Sequence, residues 1–244
     1  ILILTVFVFS LVRIVKGDVI DSIVALQGGG RGGYMSAEMK DKLRTELGLN
    51  KPIYTQYAVW VGEIARGDLG VSLFSKLPVA DLLKKRYSVT LELILFTTII
   101  MVVWGVLIGV LSAVYQDKPI DYILRSVAVL WLSMPYFWVA ILFIVFGSML
   151  FNWSPPLGVN SIDEGIVNNL KQFVLPAAIL GLSQGSGIAR MTRATVLEVV
   201  RQDYVRTARA KGLSERIILN RHTIKNAMIP VLGLIGVTFA FSLG

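Results

Sequence analysis

The chain has 244 residues, 55% of them hydrophobic, and a mean hydropathy of +0.68, which makes it more apolar than soluble domains with their usual 45–50% or so. Because it contains no cysteine, disulfides and thiolate metal sites are excluded as organising elements within these residues. The formal net charge of +8 would suit a nucleic-acid partner, but basic loops between apolar segments suit an anionic membrane face equally well.

Long uncharged segments predict an all-α, polytopic bundle of membrane helices. Any one of them could be a buried soluble helix, but several in one chain favour a membrane protein. The shortest internal segment holds 18 residues, which is enough for a short or tilted crossing. The first lacks a basic region and a cleavage site, so we expect the remaining half of a membrane helix rather than a secretory signal. The five expected spans are 1–15, 87–116, 126–162, 172–189 and 226–244.

A polar region, residues 16–88, separates the first two spans and is expected to form a small folded element outside the membrane. Its glycine-rich run, residues 27–33, predicts a loop, since a phosphate cradle would need a following Lys-Ser/Thr. From Ser36 onward, apolar residues at four-residue spacing predict an amphipathic helix that Gly48 ends. That helix would either complete a local core or cover the mouth of a pore.

The charge distribution predicts the orientation. Residues 190–225 hold nine basic and three acidic residues, and short basic loops stay in the cytoplasm. Counting back through the spans places residues 116–125 inside and 16–88 outside. The outer region is itself mildly basic, but loops longer than about 60 residues translocate largely regardless of charge.

Several patterns that resemble catalytic or metal sites are better explained by packing. Gly181-Leu-Ser-Gln-Gly185 matches the G-x-S-x-G pattern of serine hydrolases, but it lies in an apolar span with no strand before it. Small residues for close helix packing explain it better, as they do for the Gly105 and Gly109 pair. The single histidine, His222, has no partners for a metal site. No Walker motif occurs, so we expect no catalytic, cofactor or metal site in this chain.

Three residues in or near the spans are candidates for a translocation path. Apart from Arg13 near the end of the first segment, Glu92 is the only charged residue within the predicted spans. It stands near an outer end, which argues against a proton relay. Pro135 and Pro176 should kink their spans or free carbonyl groups toward a cavity. Plain packing would be equally consistent with both prolines.

The basic loop predicts two helices that meet at a glycine. The first should run over residues 192–211 and end at Gly212, and Ser214 should begin a second short helix. The small residues Ala208 and Ala210 would let another protein's backbone approach, while nearby basic side chains reach its acidic groups. The alternative is a loop that contacts only lipid headgroups.

The same loop closely resembles the "EAA" loop of the dipeptide/oligopeptide permease branch of bacterial ABC importers. The match covers residues 198–216 (EVVRQDYVRTARAKGLSER) and continues through Arg221-His222, Asn226-Ala227 and Ile229-Pro230. Further matching motifs, in the family's order and spacing, cover nearly the whole chain: residues 46–52, 67–70, 90–92, 133–135, 137–138 and 175–176.

The resemblance implies a six-span permease subunit in the bacterial cytoplasmic (inner) membrane, of which about five spans lie in this sequence. The implied partners are a homologous second permease, two cytoplasmic ATPase subunits, an extracytoplasmic solute-binding protein and the lipid bilayer, and no nucleic acid. Solutes of such importers include dipeptides, oligopeptides, glutathione and nickel complexes, and the sequence does not choose among them.

The resemblance also assigns the ATPase-coupling loop. Arg206 stands where many importers have the glutamate of the motif, Ala208 lies in its alanine region, and Gly212 is its glycine. The expected coupling residues are Asp203, Tyr204, Arg206, Thr207, Ala208, Arg209, Ala210, Lys211, Gly212 and Leu213. The missing glutamate leaves a carboxylate-based docking contact in doubt. The domains are therefore a truncated first span (1–15), an extracytoplasmic region (16–88) and a permease domain (89–244) with a cytoplasmic loop at 190–225. ATP hydrolysis is expected on the partner subunits.

Overall fold

The computed structural model describes residues 2–14, 20, 37–72, 75–156, 158 and 165–243, and these ranges are mostly helical. The chain forms two compact units, Ile1–Arg86 and Tyr87–Gly244. Among the described residues the only β-pairing is an isolated bridge between Val71 and Pro78.

The described residues of the first unit include the helices α1 (Leu2–Ile14), α2 (Ala37–Glu46) and α3 (Ile53–Ala65). The Phe9 ring of α1 lies 5.4 Å from Tyr57 and 5.6 Å from Trp60 of α3, so these two helices pack through aromatic contacts. The amphipathic helix expected after Ser36 is confirmed as α2, and Gly48 follows it with φ of +65°. Ser36 itself and the glycine run 27–33 lie outside the described residues.

The second unit is a bundle that shares its first helix, α4, with the end of the first unit. Its helices are α4 (Val79–Val114), α5 (Pro119–Ser133), α6 (Tyr136–Phe151), α7 (Ile166–Val200), α8 (Asp203–Ala210), α9 (Glu215–Ile217) and α10 (Lys225–Ser242), and a π-helical segment (Ile218–Ile224) joins α9 to α10.

Within the described residues, three helical segments are long and apolar enough to cross a membrane: α4, α7 and the continuous stretch Glu215–Ser242. The segment 126–162, expected to hold one span with a kink at Pro135, holds α5 and α6, which bend by 96° at a break before Pro135. Proline disfavours the helical region for the residue before it, and Met134 is extended accordingly. Counting α5 and α6 as one bent span gives four spans, so the expected total of five stays a prediction.

Glycines bring α4 and α7 into close contact, which confirms the packing expected from their spacing. A Cβ added to Gly105 would lie 2.6 Å from Ile188 Cβ, and one added to Gly109 would lie 2.5 Å from Thr192 Cβ. On the facing helix, a Cβ on Gly181 would lie 2.9 Å from the backbone oxygen of Thr97. Such approach is how small residues join helices in a bilayer.

The buried core sits where α4, α7 and α10 meet. Met101, Ile188 and Val231 form one buried cluster, one residue from each helix. A second cluster, Ala113, Val196 and Ala227, lies further along the same three helices. The end of α7 is thereby fixed to its neighbours just before the chain enters α8.

Candidate functional site

The basic loop folds into an exposed corner, which we call the elbow: α8, the turn at Gly212 and α9, residues 203–217. The single helix expected over 192–211 is wrong, since α7 ends at Val200 and α8 begins at Asp203. Gln202 between them has an extended backbone, with φ −68° and ψ 149°. The carboxylate of Asp203 then lies in the first turn of α8, where the helix dipole favours negative charge.

A small apolar core anchors the elbow to the bundle. Val205 and Ala208, one turn apart on α8, are buried and pack with Ile218 and with Val199 at the end of α7. Sequence reasoning placed Ala208 on the outer surface, and this is wrong, because its side chain is only 6% exposed. The Val205 and Ala208 spacing of three residues was the available signal for this inward face.

The turn at Gly212 reverses the chain between the two helices as expected. Gly212 has φ of +80°, and its amide donates to the carbonyl of Arg209 at 3.0 Å while the Leu213 amide donates to that of Ala208 at 3.3 Å. This pair of bonds is a Schellman motif, which requires the left-handed conformation that glycine adopts without strain. Nothing lies within 4 Å of a Cβ built on Gly212, so the constraint is conformational rather than steric.

A bidentate ion pair closes the elbow across this turn. Arg209 donates from Nε to Glu215 Oε1 at 2.6 Å and from Nη2 to Oε2 at 3.0 Å. The hydrogen bond with Glu215 raises the pKa of Arg209 above its ordinary value. Both side chains are solvent-exposed, at 46% and 70%, so the pair sets the geometry of the corner and adds little stability.

Tyr204 ties the elbow to the start of α10. Its hydroxyl accepts a hydrogen bond from Asn226 Nδ2 at 2.9 Å and lies 3.4 Å from the carbonyl oxygen of His222, to which it donates. His222 lies within the π-helical segment, a kind of irregularity that is frequent at functional sites. No group of three metal-ligating side chains occurs in the described part of the chain.

The outer face of the elbow is basic with scattered apolar side chains. Arg206 has a side chain 72% exposed, 3.7 Å from the 97% exposed carboxylate of Asp203. Thr207 turns its hydroxyl back to the Asp203 carbonyl. The remaining exposed residues of this face are Ala210, Lys211, Leu213, Arg216 and Ile217. The elbow therefore offers a rigid, mainly cationic surface.

A buried ion pair, which sequence reasoning missed, joins α5 to α7 beside the loop. Arg193 donates from Nε and Nη2 to the carboxylate of Asp121, at 3.1 and 2.8 Å. The Ser112 hydroxyl of α4 and the Asp117 amide also donate to this carboxylate, which is 0% exposed. The carboxylate of Asp121 on α5 is therefore bound by side chains of both α4 and α7. The partners are 72 residues apart, and nothing in a single sequence pairs them.

The other candidates lie apart from the elbow in the chain. Glu92 accepts a hydrogen bond from the buried side chain of Asn169 at 2.9 Å, which joins α4 to the start of α7. Pro135 caps α6 at the bend, and Pro176 lies inside α7, which continues across it. Ser183 also lies inside α7 rather than on a strand-to-helix turn, so the hydrolase geometry is absent there.

Comparison with known proteins agrees with this architecture. Residues 105–244 match the family described as "Binding-protein-dependent transport system inner membrane component". The chain belongs to this family. A Brucella suis protein named as a peptide transport system permease is 35% identical over 243 residues, covering 100% of this chain and 75% of the relative. A glutathione transport system permease of Escherichia coli O6:H1 is 34% identical over 242 residues, covering 99% and 74%.

Membership makes the chain a multi-pass permease component of an ABC importer in the inner membrane, a transporter subunit rather than an enzyme. A Sinorhizobium fredii relative named as a peptide ABC transporter permease is 35% identical over 239 residues, covering 98% of this permease and 74% of the relative. The resemblance drawn from the basic loop and the all-α membrane fold are therefore confirmed.

Proposed function

We propose that the elbow is the surface through which separate cytoplasmic ATPase subunits drive this permease, and that the importer carries peptides or similar small solutes. The relatives' names support the solute class, since they name peptide and glutathione transport. The elbow's exposed basic face on an internally braced frame is the observation that carries the coupling role.

The internal contacts of the elbow matter because a coupling surface has to transmit displacement. The Val205 and Ala208 core, the Schellman turn and the Arg209–Glu215 pair each remove a way for the elbow to deform on its own. A push on the outer face therefore moves α7 and α10 rather than bending α8. Close-packed interiors transmit strain in this way.

The displacement has two routes into the bundle. Tyr204 passes it to α10 through Asn226, and Arg193 passes it from α7 to α5 through the buried carboxylate of Asp121. Since α5 and α6 meet at the Pro135 bend, movement of α5 changes the angle of the bent pair. Pro135 and Pro176 are accordingly proposed as pivots or lining of the solute path.

The orientation follows from charge: residues 190–225 face the cytoplasm and 16–88 face the exterior. The partners we propose are a homologous second permease, two cytoplasmic ATPase subunits and an extracytoplasmic solute-binding protein. ATP hydrolysis takes place on the ATPase subunits, and this permease forms half of the pathway.

Charge reversal on the elbow tests the proposal. Arg206→Glu with Lys211→Glu, in the assembled importer in lipid nanodiscs, should lower solute-stimulated ATP hydrolysis by about tenfold or more. The reason is that the new carboxylates would repel the acidic groups on the ATPase subunit that the basic elbow is proposed to contact. The matched control is Lys42→Glu with Lys51→Glu in the first unit, which changes the charge equally and should leave stimulation unchanged. Equal loss in both double variants, or loss in neither, would contradict the coupling role.

A passive channel or an ion-coupled carrier is the rival. Solute uptake into vesicles that persists without ATP would support it. Labelling of Ser183 by a serine-directed probe would revive the hydrolase alternative.

A further inference from the structure

A cavity of about 250 Å³ lies between α4, α5 and α7, directly beside the buried ion pair, since Arg193 and Ser112 line it. Three arginines line it: Arg125 of α5, and Arg190 and Arg193 of α7. Arg193 is neutralised by Asp121. In the described ranges Arg125 and Arg190 have no carboxylate within 4.0 Å, and no acidic residue lines the cavity.

The walls of this cavity become apolar away from the ion pair. One turn from Ser112 on α4 lies Ile108, and one turn from Arg125 on α5 lie Ala128 and Val129. Val129 is 51% exposed, and the apolar surface continues onto Leu130 at 55%. A cationic end and an apolar end are thus about one helical turn apart.

We infer that this cavity binds the phosphate of an anionic phospholipid, with Arg125 and Arg190 holding the phosphate and the acyl chains lying along Val129 and Leu130. The volume of about 250 Å³ admits a phosphate group but not a whole lipid, so the acyl chains would lie outside the cavity. Basic pockets between membrane helices on the cytoplasmic side bind acidic headgroups for this electrostatic reason.

The inference rests on the proposed orientation, which puts this end of α5 and α7 at the cytoplasmic leaflet. A free phosphate would use the arginines but not the apolar wall. A bound lipid would hold α5 against α7 beside the Asp121–Arg193 pair, and so would influence the same joint that transmits movement from the elbow.

The test uses the full-length permease in its assembled importer, purified in neutral detergent, with native mass spectrometry to count bound lipids. Phosphatidylglycerol should bind about tenfold more than phosphatidylcholine with the same acyl chains, given two uncompensated arginines. Arg125→Gln with Arg190→Gln should abolish the preference. Arg125→Lys with Arg190→Lys keeps the charge and should keep the preference, as should Arg201→Gln with Arg221→Gln, an exposed pair outside the elbow with an equal charge change.

The inference would be overturned if the unaltered complex showed no preference for phosphatidylglycerol, or if the Arg125→Gln and Arg190→Gln variant kept that preference. It would also be overturned if inorganic phosphate displaced the lipid at equal concentration. A fourth contrary result is a preference seen in the separated permease and lost in the complex. The last would mean that the second permease covers the cavity. Failure of the coupling proposal is separately visible, because ATP hydrolysis by the elbow variants does not enter the lipid count.

Discussion

Among its described residues, the permease has two bidentate arginine–carboxylate pairs of nearly the same geometry in opposite surroundings. Arg193 forms a salt bridge with Asp121 at the contact of three helices, and the Asp121 carboxylate is 0% exposed. Arg209 grips Glu215 on the elbow, where the carboxylate is 70% exposed. Water screens the second pair much more than the first, so burial and not bond length decides how much each pair contributes to stability.

The two pairs therefore have different roles: the buried one holds helices together, and the exposed one can change partners. The buried pair cannot exchange partners without leaving a charge uncompensated, so it behaves as a pin between α5 and α7. The exposed pair can exchange Glu215 for an acid on another protein at little cost. The contact between α5 and α7 that transmits movement is rigid, and the elbow surface that would contact the ATPase is exposed to solvent.

The largest expected effect comes from removing one half of the pin. Asp121→Ala should lower the free energy of unfolding by roughly 3 kcal/mol, the lower end for a broken buried pair, because Arg193 is 22% exposed and keeps some access to water. Thermal unfolding of the detergent-purified permease measures this. Asp121→Leu combined with Arg193→Met should recover most of the loss, and a double variant as unstable as the single one would contradict the pin.

The glycine contact between α4 and α7 should come next. Gly109→Ala should cost about 2 kcal/mol, since its Cβ would lie 2.7 Å from the backbone oxygen of Ala189 and the helices must separate. Gly187→Ala on α7 is the matched control, because nothing lies within 4 Å of its Cβ. The same thermal measurement applies, and equal midpoints for the two variants would refute the close contact.

A larger side chain on α8 should destabilise the elbow only when it is placed on the buried face of the helix. Ala208→Leu overpacks the cluster with Val205 and Ile218 and should cost about 1–3 kcal/mol locally, with lost ATPase stimulation. Ala210→Leu adds the same side chain on the exposed face. Limited proteolysis of the loop should show early cleavage for Ala208→Leu alone. Equal protection of both would mean that the core does not hold the elbow.

The turn between α8 and α9 should show a conformational effect. Gly212→Ala should cost about 1 kcal/mol, because a non-glycine residue is strained at φ of +80°. Gly212→Asn should cost less, since asparagine tolerates the left-handed region. Hydrogen exchange of the Leu213 amide reports on the turn, and identical exchange in both variants would speak against the strain.

The smallest effect is expected at the exposed pair. Glu215→Gln should leave the thermal midpoint unchanged and alter ATPase stimulation by no more than about twofold, because the clamp is screened by water. Loss of stimulation as complete as that of the elbow double variant would show that Arg209 and Glu215 act together and do not exchange.

Local features of this fold were predictable from sequence, and pairings across the chain were not. Gly48 and Gly212 ended their helices as expected, and the spacing of Gly105 and Gly109 indicated close packing, because backbone conformation and helix periodicity are local. Ala208 was placed on the wrong face, since small size alone does not say which side of an eight-residue helix is buried.

Two features depended on tertiary structure. A kink at Pro135 was expected, but its angle of 96° between α5 and α6 cannot be obtained from hydropathy. The Asp121–Arg193 pair joins two charges that the sequence places in separate loops, and only the packing of α5 against α7 brings them together. The coupling role of the elbow and the domain division remain predictions.

The most direct test of the account is a cross-link from the elbow. These 244 residues contain no cysteine, so Arg206→Cys and Lys51→Cys each place one thiol among them for a short thiol-to-amine cross-linker in the assembled importer. The account predicts a product between Arg206→Cys and an ATPase subunit, and none between Lys51→Cys and that subunit. Modification of Arg206→Cys by a membrane-impermeant reagent added outside intact cells, with no ATPase product, would contradict it.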